Sequence, residues 1–178
     1  TKDSVDWRGK LDTTPIRNQS ASCNAGYAMA ATGVMESFVK KYRSQSVPLS
    51  PQQLIDCSQG YRNQGCYLGL AENALAYIQN SGIATEHDYP YVASLQSCRS
   101  VSPYAGNKGY SKASSSRDIK RALKSMPIAV AIVINQEMMH YTGGTYKNKD
   151  CGPQLNHFML AVGFSENYVS SDYWILKN

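Results

Sequence analysis

Gln19-Ser20-Ala21-Ser22-Cys23-Asn24-Ala25-Gly26-Tyr27-Ala28-Met29 decides how this chain is read, because a loop passes here into the first long helix. Upstream, residues 1–25 carry little period and include Thr14-Pro15, so they read as extended chain and loop. Downstream, Met29, Val34, Met35, Phe38, Val39 and Tyr42 recur at three- and four-residue steps. That spacing predicts a helix from Gly26 to Tyr42 with one apolar stripe. Asn18-Gln19-Ser20 is also an N-glycosylation acceptor triplet, which makes Asn18 a candidate modification site.

Further along, Ser50-Pro51-Gln52-Gln53 has the form of a capping box with proline at the first helical position, and Leu54, Ile55 and Cys57 are expected to face inward. A third helix is predicted from Leu70 to Gln79, stopped by Asn80-Ser81-Gly82. From Ile83 to Tyr110 the prolines of Tyr89-Pro90-Tyr91 and Ser102-Pro103-Tyr104 predict loop. Ser114-Ser115-Ser116 reads as a linker that also caps a helix carrying Ile119, Ala122 and Leu123. After Pro127 the pattern changes to strands over Ile128–Ile134, His157–Phe164 and Asp172–Lys177. Helices early and strands late give an α+β chain in two lobes.

With 42% apolar residues in 178, the chain can bury a sizeable core, and 17% charged residues with 13 tyrosines argue against disorder. The net charge of +5 is mild. Its basic groups, Lys40-Lys41-x-Arg43 and Lys120-Arg121-x-x-Lys124, fall on predicted helix faces, so no nucleic-acid partner is expected. No run of about 18 apolar residues exists to predict a membrane span. Five cysteines without a C-x-x-C pair fit disulfides in an oxidising compartment better than zinc. His87 and His140 read as packing or surface residues; no metal or other cofactor is expected.

Taken in order, the motifs resemble those of papain-like cysteine peptidases. The opening stretch is similar to the family's Gln-Gly-x-Cys-Gly-x-Cys-Trp-Ala-Phe, with Tyr27-Ala28-Met29 on Trp-Ala-Phe. Asp6-Trp7-Arg8, Ser50 to Cys57, Tyr89-Pro90-Tyr91, Tyr141-x-Gly143-Gly144, Leu155-Asn156-His157 and Tyr173 to Asn178 resemble further family segments. The resemblance implies a two-lobed papain-like fold with a cleft between a helical left lobe and an antiparallel β-sheet or barrel right lobe. The left lobe would comprise 11–112, and the right lobe 1–10 with 113–178.

The same resemblance assigns Gln19 as oxyanion-hole donor, His157 as base and Asn178 as its orienter. The nucleophile position falls on Gly26. Aligned without a gap, the structural and nucleophilic cysteines would be Ser22 and Ala25; with a one-residue insertion they are Cys23 and Gly26. Neither register supplies a thiol. A cysteine peptidase needs thiolate at a helix N-terminus beside an oriented histidine, and loss of a nucleophile costs about a million-fold in turnover in a comparable hydrolase. The expectation is therefore a non-enzyme: a pseudoprotease that binds a peptide, an inhibitor or another macromolecule around an empty position at Gly26. A hydrolase with a relocated nucleophile such as Ser22, and a defence or storage protein that ignores the cleft, are the alternatives.

Family pattern implies the disulfides Cys23–Cys66 and Cys57–Cys98, and a partner for Cys151 beyond Asn178, so the chain is expected to continue. Gly69 would approach peptide backbone, with Leu70, Ala71, Ala131, Leu155, Asn156 and Phe158 lining the cleft and Phe158 filling part of its pocket. A monomer in a secreted, lysosomal or vacuolar setting completes the expectation.

Overall fold

A long helix whose first half is built mainly of small residues stands at the centre of the molecule. The computed structural model describes residues 3–147, 151–166 and 172–178. The helix, α1 (Gly26–Arg43), ends where Ser44 adopts φ +57° and returns its N–H to the Lys40 carbonyl, with Lys40, Lys41 and Arg43 at the negative end of the helix dipole. Met35 and Val39 of the predicted stripe are buried, but Tyr42 is exposed. Ala30, Ala31, Gly33 and Ser37 are buried as well. The helix is covered on more than one face, because helices pack on one side and a sheet on the other. A Cβ on Gly33 would stand 2.8 Å from Leu160, so the missing side chain lets sheet and helix approach.

Two further helices complete the helical part, α2 (Pro51–Cys57) and α3 (Ala71–Ser81). Ser50 caps α2 by accepting the Gln53 N–H at 3.0 Å. Only half of the predicted capping box forms. The Gln53 side chain turns inward, donating to Tyr77 Oη and accepting from the Ala84 N–H, while the Ser50 N–H donates to the Ala84 carbonyl. Gly82, at φ +71°, closes α3. These helices share one buried cluster that includes Met35, Val39, Leu49, Leu54, Ile55 and Ile78. Burial of each large side chain contributes about 1.5–3 kcal/mol.

The sheet forms around its longest strand. β1 (Ser4–Asp6) and β2 (Ile128–Ile132) both pair with β3 (His157–Ser165), as does β4 (Tyr173–Lys177), all antiparallel. β2 takes residues 157–161 of β3 and β1 takes 163–165. β4 pairs across both ranges, so it occupies the opposite edge. A register shift between Ala161 and Gly163 bends the centre of β3. Helix α4 (Ser116–Leu123), capped by Ser115, packs Leu123 into a second buried cluster with Ala161 and Phe164. β1 and the four-residue α5 (Gln136–Met139) were not expected. Cys23–Cys66 and Cys57–Cys98 are bonded as the resemblance implied. Cys151 is exposed. Among the described residues no helix is long and apolar enough to cross a membrane.

Candidate active site

Two chain segments meet at the N-terminus of α1. Cys23 is tied to Cys66, and the Asn24 N–H donates to the Cys66 carbonyl at 2.9 Å, which fixes where the helix begins. Gly26 is its first residue and is buried. His157, the first residue of β3, is 6% exposed and turns its ring onto Gly26. A Cβ on Gly26 would lie 2.7 Å from His157 Cε1 and 2.9 Å from Nδ1, and 3.0 Å from the Phe158 carbonyl oxygen. Position 26 is therefore not empty: the imidazole edge has taken the volume a side chain would need.

Asn178 holds the other side of the ring, its Oδ1 2.7 Å from His157 Nε2. β4 delivers it there through the pairing of Leu160 with Lys177. Lys177 is itself anchored, with Nζ 2.6 Å from Asp12 Oδ1 and 2.7 Å from the Thr14 carbonyl oxygen. Both side chains of that ion pair are nearly buried. The approach loop is fixed by a second ionic node, in which Arg17 meets Glu36 at 2.5 Å and Glu86 at 2.9 Å. Glu36, 3% exposed, also accepts from Thr14 Oγ1 and the Leu49 N–H. Burial works against the Arg17 charge, but Glu36 and Glu86 outweigh it and hold the guanidinium above its ordinary pKa.

Gln19 lies beyond this node, its carbonyl accepting from Tyr91 Oη at 2.6 Å. It shares the wall of a cavity of about 160 Å³ with Asn178, Phe158, Asn18 and Met29. The structure thus links Gly26 to His157, His157 to Asn178, and Asn178 to Gln19 across a cavity. The expected cleft residues divide. Ala131 and Phe158 face each other across β2 and β3, Leu70 and Leu155 are exposed, and Ala71 is 3% exposed within the helical cluster.

Two residues have local structural partners. Asn156 accepts from the Ile134 N–H at 2.8 Å and donates to the Ile134 carbonyl at 2.9 Å, extending the strand pairing just before His157. On Gly69 a Cβ would meet the Tyr27 ring at 2.5 Å, so glycine is required by packing whether or not a peptide approaches. Tyr27 donates to the Gly65 carbonyl at 2.9 Å, and burial raises its phenol pKa. The Lys177–Asp12 pair and the Arg17 node left no sequence signal, because their members are far apart in the chain.

Residues 1–178, the whole chain, match the papain family of cysteine proteases. The chain belongs to that family. It is similar to a cathepsin L-like proteinase of Fasciola hepatica, 36% identical over 99% of this chain and 55% of the relative. Among solved structures it resembles digestive procathepsin L 3 of Tenebrio molitor, with a TM-score of 0.91 and 34% identity over 98% of this chain and 59% of that one. It also resembles the bromelain protease of Ananas comosus in complex with the E64 inhibitor, with a TM-score of 0.89 and 34% identity over 98% and 81%. The papain-like α+β fold is thereby established, and the chain spans about half the length of the curated relatives it matches.

One expectation is corrected by these relatives. Gly26 led to a non-enzyme assignment, but proteins 34–36% identical over nearly the whole chain are named proteinases and proteases, which places this chain in a peptidase family. The physical reason is that one side chain does not define the class. The family match extends over residues 1–178 and the fold agrees with a solved relative at a TM-score of 0.91, so membership rests on the whole chain and not on position 26.

Proposed function

We propose that the chain binds extended peptide in a papain-type cleft, with His157 as base, Asn178 as orienter and Gln19 as oxyanion-side donor, and with Gly26 where the family carries cysteine. The observation that carries this reading is the contact of the His157 ring with Gly26 while Nε2 is held by Asn178. An Nε2–H donated to Asn178 Oδ1 leaves Nδ1 as the acceptor facing the start of α1. In a thiol peptidase that nitrogen receives the nucleophile's proton.

Peptide backbone would run past Gly69 and Leu70, with side chains meeting Ala71, Ala131, Leu155, Asn156 and Phe158. The division into 11–112 and 1–10 with 113–178 is supported by the two buried clusters, one mainly helical and one around β3. A secreted or lysosomal setting is supported by two disulfides. A monomer is the working state.

Fluorescence polarisation with labelled peptides, in parallel with a fluorogenic turnover assay under reducing conditions, tests the reading. Saturable binding weakened by Leu155→Asp and Ala131→Glu is expected. Peptides that bind nowhere, or bind equally well after both changes, would overturn it. Turnover with a covalent adduct mapped to Ser22 would replace it with a relocated nucleophile.

A further inference from the structure

We propose that Asn18 is an N-glycosylation site and that its glycan stands at the lip of the candidate active site, admitting short peptides while excluding protein-sized ligands. Asn18-Gln19-Ser20 supplies the acceptor triplet. Asn18 is exposed, and its Oδ1 accepts the Ser20 N–H at 2.9 Å, so the amide is engaged through oxygen and not through the nitrogen that would react.

The loop that carries it is pinned to the opposite segment. Tyr91 Oη donates to the Gln19 carbonyl, and Ser22 Oγ donates to the Ala93 carbonyl at 3.3 Å. The backbone just after Asn18 is thus held against residues 91–93. Asn18 immediately precedes Gln19, the proposed oxyanion-side donor, and both line a cavity with Asn178, so the first sugar would start one residue from that donor. Two disulfides in the helical part are consistent with passage through the compartment where such sugars are added.

In the modification step Asn18 Nδ2 attacks C1 of the N-acetylglucosamine of a lipid diphosphate-linked oligosaccharide. The new C1–N bond replaces the C1–O bond to diphosphate, lipid diphosphate leaves, and one amide proton is lost to base. The size-selective consequence rests on the peptide-binding reading above; the modification itself does not.

The test is expression in a secreting eukaryotic host, with intact-mass analysis before and after peptide N-glycosidase treatment. The wild type should carry one glycan, released with conversion of the amide at position 18 to a carboxylate. Asn18→Gln and Ser20→Gly should each lack it while still being secreted. The second change relieves the φ of +66° at Ser20 but gives up the Ser20 Oγ bonds to Ser22, so each variant is first shown to melt cooperatively like the wild type. Folded, secreted wild type with Asn18 unmodified overturns the proposal. For the consequence, one labelled peptide is used free and fused to a folded carrier protein. Enzymatic deglycosylation should strengthen binding of the fusion several-fold and leave the free peptide unchanged; an equal response of both overturns the steric half. If neither form binds, the peptide-binding reading falls while the mass result still decides the modification.

Discussion

The Arg17 node and the His157 node are both buried polar centres beside α1, yet they differ in how completely they are matched. At the first, Glu36 receives Arg17, Thr14 and the Leu49 N–H, and Arg17 reaches Glu86 as well. At the second, Asn178 holds one edge of the imidazole at Nε2 and the Cε1–Nδ1 edge rests on a glycine. A matched ionic node is scaffold: it fixes a loop and has nothing left to offer a substrate. An oriented, buried histidine with one ring nitrogen facing the start of a helix keeps bonding capacity that the first node has used up.

The largest expected effect follows from the role proposed for position 26. If that assignment holds, Gly26→Cys places a thiol beside His157 Nδ1 and should raise fluorogenic peptide turnover by roughly a thousandfold or more and make it sensitive to a thiol-alkylating reagent. The new Cβ requires the His157 ring to move back by a few tenths of an ångström and the Phe158 carbonyl oxygen, 3.0 Å away, to give slightly as well. No gain in turnover from folded variant would break the comparison. On the scaffold side, Glu36→Gln leaves the Arg17 charge poorly paired in a buried setting and should cost about 3–5 kcal/mol. Differential scanning calorimetry should show the midpoint fall by roughly 6–20 °C.

Gly69→Ala separates packing from peptide recognition. The added methyl meets the Tyr27 ring and should destabilise by about 1–3 kcal/mol in chemical denaturation even without ligand. An unchanged denaturation midpoint would mean Gly69 is held by something other than Tyr27. The smallest effect is expected from Ser115→Ala, which removes the exposed α4 cap at a cost of about 1 kcal/mol, read in the same denaturation experiment.

Local signals in the sequence carried far in the helical part. α1 begins at Gly26 as its periodicity and the change of grammar after Ala25 indicate, and Ser50-Pro51 marks the start of α2. What periodicity could not show is that Ala30, Ala31, Gly33 and Ser37 are also buried, since small residues carry little hydrophobic signal and the covering strand comes from far along the chain. β1 escaped because three residues have no measurable alternation. At the site, His157 and Asn178 were recognisable only through the order of family motifs, because their pairing depends on β3 and β4 lying side by side. The expectation of an empty position failed for a packing reason: a planar ring held at one edge by Asn178 can lean into space that glycine leaves. Lys177 and Asp12 join opposite parts of the chain, so no spacing rule reaches them.

Whether His157, oriented by Asn178, rests directly on Gly26 is read by NMR. A strong nuclear Overhauser effect is expected between His157 Hε1 and the Gly26 Hα protons, together with an Nε2–H donated to Asn178 Oδ1 that is lost in Asn178→Ala. An absent cross-peak in folded protein, or a neutral ring protonated on Nδ1 with Asn178 in place, would contradict it.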